Sequence, residues 1–168
     1  MINTIIFGFF VISFVTIFKP VPKIEKSLVL IFGLLMILYA GLREDSMDYK
    51  VYKVLYKNYN DITIEYAFKL ISFLVQNFFG GNIKYLFLIF AFLAVSLKFK
   101  AIKILSSSVV ASICIYYSNY YLLHEMTQIR AGVASAFLLL AIKPIYERDF
   151  KKFLIYAALG FSFHYSAL

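Results

Sequence analysis

The 168-residue sequence predicts an all-α fold, a polytopic bundle of helices that cross a membrane. Three observations point to it. First, 62% of the residues are hydrophobic and 15% are charged. A chain this short exposes a large share of its surface, so lipid rather than a protein core must cover much of its Phe, Ile and Leu. Second, the apolar residues fall in runs close to the ~20 residues that a helix needs to cross the hydrocarbon layer. Third, aromatics reach 20%, with 19 Phe, 14 Tyr and no Trp, which suits lipid-facing helices with Tyr at the headgroups.

Taken in order, the expected crossings are 1–18, 27–42, 83–97, 107–123, 129–146 and 153–168. Several are short, but flanking Tyr and Lys can snorkel to the interface. The first run precedes Lys19-Pro20-Val21-Pro22-Lys23, has no basic stretch before it and no small-residue cleavage site, and reads as a retained span rather than a signal peptide. The net charge of +8 is spread over short loops between apolar runs, which favours a topological role over nucleic-acid binding. Lys19, Lys23 and Lys26 fill one loop, Lys98, Lys100 and Lys103 a second, and Lys143, Arg148, Lys151 and Lys152 a third. All three are expected on the cytoplasmic side. That parity holds only if the apolar stretch 65–79 does not cross.

Its pattern agrees. Glu65, Lys69, Ser72 and Gln76 recur at helical spacing on one face, opposite Tyr66, Phe68, Leu70, Ile71, Phe73, Leu74 and Phe78. Such a helix lies in the interface or dips into a cavity, and Gly80-Gly81 ends it. Upstream, Tyr49 to Tyr59 carries Lys50, Lys53 and Lys57 on one side and Tyr52, Leu55, Tyr56 and Tyr59 on the other. The expected architecture is one transmembrane domain over 1–168, about six crossings with the N-terminus outside, and an outer cap of one or two amphipathic helices within 43–82. Because 153–168 stops at Phe163-His164-Tyr165-Ser166-Ala167-Leu168 without a polar tail, the chain is expected to be the front part of a longer protein.

This orientation gathers Arg43, Glu44, Asp45, Asp48, Glu65, His124, Glu125, Gln128, Arg130 and His164 at the outer face. Arg130 is the sharpest of them, since a charge at the start of an apolar span usually faces a cavity or a partner. Small residues come after it, Ala131, Gly132, Ala134, Ser135 and Ala136, so another helix or a ligand can approach closely. A guanidinium there suits phosphate or pyrophosphate; the plain alternative is snorkelling or a pair with Glu125. Asp48 has the chemistry of an N-cap for the next helix, or of a base or sugar ligand beside a phosphate-binding Arg43. His124-Glu125 opens like H-E-x-x-H, but Gln128 stands at the fifth position, so a zinc site is not expected. His124 is otherwise an interfacial His or an acid or base. His164 is either a buried His bonded to a neighbour or a proton carrier. No P-loop, no G-x-S-x-G elbow and no C-x-x-C pair occurs, so no nucleotide-driven motor is expected in this segment.

Gly41-Leu42-Arg43…Asp48…Tyr52 resembles the first outer loop of the EpsG family of Wzy-like exopolysaccharide polymerases. Thr127-Gln128-Ile129-Arg130-Ala131-Gly132-Val133-Ala134 resembles the family's central Asn-Gln-x-Arg-Gln-type motif, Phe163-His164-Tyr165-Ser166-Ala167-Leu168 its Phe-His-x-Ser/Thr-Ala segment, and Glu65 its Glu-led short helix. Ser46, Met47, Thr127 and Ala131 depart from the usual residues, and Glu65 lacks the Pro-Gly that is common after it. The resemblance implies a GT-C-like membrane glycosyltransferase of the bacterial cytoplasmic membrane. It would join oligosaccharide repeats carried on polyprenyl pyrophosphate at the outer face. The implied partners are that lipid-linked oligosaccharide, the bilayer and other polysaccharide-assembly membrane proteins, with no nucleic acid, no cofactor and no required metal. The implied catalytic candidates are Asp48, Glu65 and His164; Arg43, Gln128, Arg130 and His124 are the substrate-binding candidates. The competing readings are a transporter or flippase of lipid-linked sugars and a non-catalytic membrane partner protein.

Overall fold

The computed structural model describes residues 22–44, 46 and 48–167; the expected span 1–18 and Asp45 lie outside them. The described residues form helices and their connecting turns, with no strand among them. The chain runs through α1 (Pro22–Gly41), α2 (Tyr49–Lys57), α3 (Tyr66–Phe78) and α4 (Ile83–Leu105), then α5 (Val109–Tyr116), a π-helical segment (Tyr117–Tyr121) and α6 (Leu122–His124). It continues with α7 (Ile129–Tyr146), α8 (Phe150–Phe163) and a 3₁₀ turn (Tyr165–Ala167).

Among the described residues, α4 and α7 are long and apolar enough to cross a membrane, and α1 carries a shorter apolar stretch, Lys26–Gly41. Only about half of the apolar window of α4 or α7 is buried inside the protein. Apolar residues are exposed along the long helices: Leu30, Leu34 and Leu38 on α1, Phe92 on α4, Ile142 and Ile145 on α7, and Leu154 and Ile155 on α8. Large exposed apolar side chains on several helices favour contact with hydrocarbon over water.

The helices pack so that one end of the bundle collects four helix termini. Gly41 lies against Leu88 and Gly33 against Phe99, so α1 and α4 run antiparallel. Gly160 touches Ala134 and Phe137, which makes α8 antiparallel to α7. Phe87 and Phe90 of α4 share one core cluster with Ile129 and Val133 of α7 and Phe163 of α8. The C-terminal ends of α1 and α8 therefore meet the N-terminal ends of α4 and α7. Side chains cap two starts: Asn82 accepts from the Lys84 amide at 3.0 Å and Asp149 from the Lys152 amide at 3.1 Å.

The α1–α4 contact is tight at Gly41, where a Cβ would sit 2.8 Å from the Leu88 Cα. That neighbour is backbone and cannot swing aside. Gly41→Ala is expected to lower the stability of the detergent-solubilised protein by about 1–3 kcal/mol, a typical cost of overpacking. An unchanged thermal transition would show that α1 has room to shift.

Several expected boundaries move. The span 129–146 coincides with α7. The span 83–97 is longer: α4 continues to Leu105, so Lys98, Lys100 and Lys103 are helix residues and not a loop. Two of these lysines stay accessible, but Lys98 is buried. The span 107–123 is not one α-helix; it changes to π-helical winding at Tyr117. The π segment brings Tyr121 against α1, where its hydroxyl donates to the Met36 carbonyl at 2.6 Å inside the core. The last span is helical only from Phe150 to Phe163.

Of the two amphipathic helices, α2 keeps the expected faces and α3 does not. On α2, Tyr52 and Tyr56 are buried while Lys50, Lys53 and Lys57 face outward. On α3 the arrangement is inverted relative to a water-soluble helix. Glu65 and Ser72 point inward with Phe68, Ile71 and Val75, while Tyr66, Leu70, Phe73, Leu74 and Phe78 are exposed. Phe68 and Ile71 thus lie on the same face as Glu65 and Ser72, not on the opposite one as expected. At 13 residues α3 is shorter than a crossing. Gly80 and Gly81, both with φ near +70°, end it in a conformation open to glycine.

Candidate active site

Arg130 is the second residue of α7. Side chains on a helix lean toward its N-terminus, so the Arg130 guanidinium reaches back past the helix start. It meets the carboxylate of Glu65, donating from Nη1 to Oε2. The guanidinium carbon also lies 5.7 Å from the ring centre of Tyr52 and 5.8 Å from that of Phe68, two rings whose own centres are 6.2 Å apart.

Glu65 stands at the N-cap of α3 in an extended conformation. It makes no side-chain cap bond there; its carboxylate is turned into the bundle. The second oxygen, Oε1, lies 3.0 Å from Nδ1 of His164. His164 is placed by the end of α8, where the backbone becomes extended and carries the imidazole off the helix axis. The next residue fixes that exit: the Tyr165 hydroxyl donates to the Ile64 carbonyl at 3.3 Å. Three residues from distant parts of the chain thus form one line of polar contacts, Arg130–Glu65–His164. Glu65 is nearly closed off, with 5% of its side chain exposed, whereas Arg130 keeps 22% and His164 33%. A molecule approaching from outside meets the imidazole and the guanidinium first.

Arg43 lies just past the end of α1 and is buried. Its Nη1 donates to the Ala40 carbonyl, one of the carbonyls left open at a helix end. Its guanidinium carbon is 4.8 Å from the ring centre of Phe87. Nε and Nη2 have no hydrogen-bond partner. Burial presses its pKa down from 12.5 to about 10, which still leaves the group charged at neutral pH. A buried cation with two unused donors is an incomplete arrangement that an anion would complete.

The other candidates are placed differently. Asp48 is at the N-cap of α2 but makes no side-chain cap bond. It is half-buried and close enough to Arg43 and Tyr52 to act on both electrostatically. Gln128 is at the N-cap of α7 and exposed. His124 faces Lys98, with 3.3 Å between Nδ1 and Nζ, and lies near the ring of Tyr120; it belongs to a buried cluster separate from the Arg130–Glu65–His164 chain. Glu125 pairs with Lys98, so the Arg130–Glu125 pair is replaced by Arg130–Glu65. Among the described residues no group of three or more His, Cys, Asp or Glu is arranged to hold a metal ion. Tyr52 and Tyr165 stand inside motifs noted above, but nothing along the chain singles out Phe68 for the part it plays, since aromatics are everywhere in it.

Arg130 at the start of α7 and the buried Arg43 past the end of α1 are cations of the kind that bind a diphosphate. A carboxylate bonded to one imidazole nitrogen fixes the other nitrogen as the one open to exchange a proton. No curated protein and no solved structure matches this chain. The model of the EpsG family matches residues 26–168, and the chain belongs to that family of exopolysaccharide-related membrane proteins.

Proposed function

We propose that the full-length protein is a polysaccharide polymerase of the glycosyltransferase type, acting at the outer face of the bacterial cytoplasmic membrane. It joins oligosaccharide repeats carried on polyprenyl pyrophosphate. The observation that carries this reading is the meeting of Arg130, Glu65 and His164 from three separated segments at one partly open end of the bundle.

In the proposed reaction, the acceptor hydroxyl gives its proton to Nε2 of His164 as its oxygen attacks the anomeric carbon of the donor sugar. The bond from that carbon to the diphosphate oxygen breaks, and the lipid diphosphate leaves with the electron pair. Arg130 and Arg43 hold the charge that develops on it. Both oxygens of Glu65 are engaged, so its part is to orient His164 and Arg130 rather than to take the proton itself. Asp48 makes no ion pair among the described residues and is the alternative base. Gln128, exposed at the start of α7, is a hydrogen-bonding contact for sugar or phosphate.

Reconstitution tests this. Full-length protein in vesicles without an ion gradient, supplied with lipid-linked repeats, is expected to lengthen the glycan. If the repeats stay single but appear on the opposite leaflet, the protein is a flippase and the polymerase reading fails.

A further inference from the structure

Lys98 lies in the long apolar helix α4, and its ammonium does not snorkel to an interface. It meets Glu125 at 2.6 Å, with side chains 6% and 0% exposed. The same ammonium is 3.3 Å from Nδ1 of His124 and 5.1 Å from the ring centre of Tyr116. This cluster takes no part in the reaction proposed above. Its place in the chain is nonetheless particular. Glu125 begins the short link between α6 and α7, and Arg130 is five residues further on.

Three observations tie the pair to the entry of α7. A Cβ on Gly132 would sit 3.3 Å from the His124 carbonyl oxygen and 3.4 Å from Glu125 Oε1, so the link presses directly on the first turn of α7. The π-helical segment just before the link widens the winding and rotates the downstream chain, and such segments occur frequently at functional sites. On the far side of the link, Thr127 bonds back to the Leu123 carbonyl and the Gln128 amide to the same oxygen, closing the turn. Lys98 is the fixed point of this arrangement, because it comes from a different helix.

We infer that the Lys98–Glu125 ion pair sets how α7 enters the bundle, and that Lys98 and Glu125 are positioning residues for Arg130. The inference rests on the polymerase reading for its functional consequence, not for its geometry. A charge pair constrains direction and distance in a way that apolar packing does not, since either charge left alone in the interior is strongly unfavourable.

The test uses the full-length protein, with its native cysteines including Cys114 replaced and Gln128→Cys added as a reporter. Lys98→Met and Glu125→Gln each strand one charge and are expected to lower the amount of membrane-inserted protein. The double replacement Lys98→Met with Glu125→Met removes both charges and is expected to restore that amount. In this double variant, maleimide labelling at position 128 is expected to rise severalfold. In the same double variant with Gln128 retained, polymer formation is expected to fall about 100-fold, the scale of a displacement of about 1 Å at a reacting group. Wild-type labelling in the double variant overturns the inference. If it does not accumulate, Lys98→Arg with Glu125→Asp keeps both charges at altered length; unchanged labelling in that variant overturns the inference equally. Increased labelling with normal polymer leaves the geometry standing and removes Arg130 from the reaction instead.

Discussion

Replacing Arg130 by Ala in the full-length protein should leave cells with mainly single repeats on lipid in place of long polymer. The expected loss in rate is about 1,000-fold, the upper end of what one donor to a developing charge contributes when it is removed. Its ion pair dictates the controls. Arg130 is the partner of Glu65, whose side chain is 5% exposed. Removing only the cation leaves a buried carboxylate with His164 as its remaining partner, and breaking a buried pair on one side costs about 3–5 kcal/mol. Loss of polymer from Arg130→Ala alone would then be compatible with loss of fold. Arg130→Lys separates the two effects. It keeps the charge, so the protein should remain in the membrane at normal abundance. It loses the planar fork that can bond a diphosphate while resting near the Tyr52 and Phe68 rings, so polymer should still be severely shortened. Long polymer from Arg130→Lys would reduce Arg130 to a structural cation, and long polymer from Arg130→Ala would remove it from the proposal altogether.

Glu65→Gln should divide binding from turnover. The carboxylate occupies the Arg130 guanidinium, in the place where a donor diphosphate is proposed to bind. It also fixes Nδ1 of His164. The amide keeps the shape but lacks the charge. Arg130 is then freer for the diphosphate, and KM for the lipid-linked donor should fall. His164 loses the acceptor that orients it, and kcat should fall by about 100- to 10,000-fold, the usual contribution of a positioned proton-transfer group. Asp48→Asn gives the comparison. If Asp48 is the base, Asp48→Asn should fall at least as far while Glu65→Gln changes little. A Glu65→Gln protein with wild-type kcat would dismiss the carboxylate–imidazole pair, and with it His164. The combination of Glu65→Gln with Arg130→Lys should be strongly non-additive, because the two residues share one contact.

Reading the charges along the chain is enough to single out the polar residues that matter but not to join them. Arg130 stands out because it opens an apolar run, Glu65 because it leads an amphipathic stretch, and His164 because it interrupts an apolar end. Each of these is a local contrast of polarity, and polarity contrast survives in one dimension. The limits of α7 are equally legible, since a span bounded by Gln128 and Glu147 leaves little choice. Lys98 shows the opposite case. Placed after an apolar run beside Lys100 and Lys103, it reads as a loop residue, and only the carboxylate brought alongside it by the α6–α7 link makes its burial tolerable. The π-helical segment is also invisible in one dimension, and so is the contact with α1 that it gives Tyr121.

Composition and periodicity act along the chain. They suffice to mark a helical, lipid-covered protein and to pick out the residues that are chemically out of place in it, while the resemblance to the EpsG family lies in short motifs such as Thr127-Gln128-Ile129-Arg130. The pairing comes from helix packing instead: Arg130 with Glu65 rather than Glu125, Glu125 with Lys98, and His164 with Glu65. Ion pairs in an apolar interior depend on distance and direction between helices, and those are fixed only once the helices have packed.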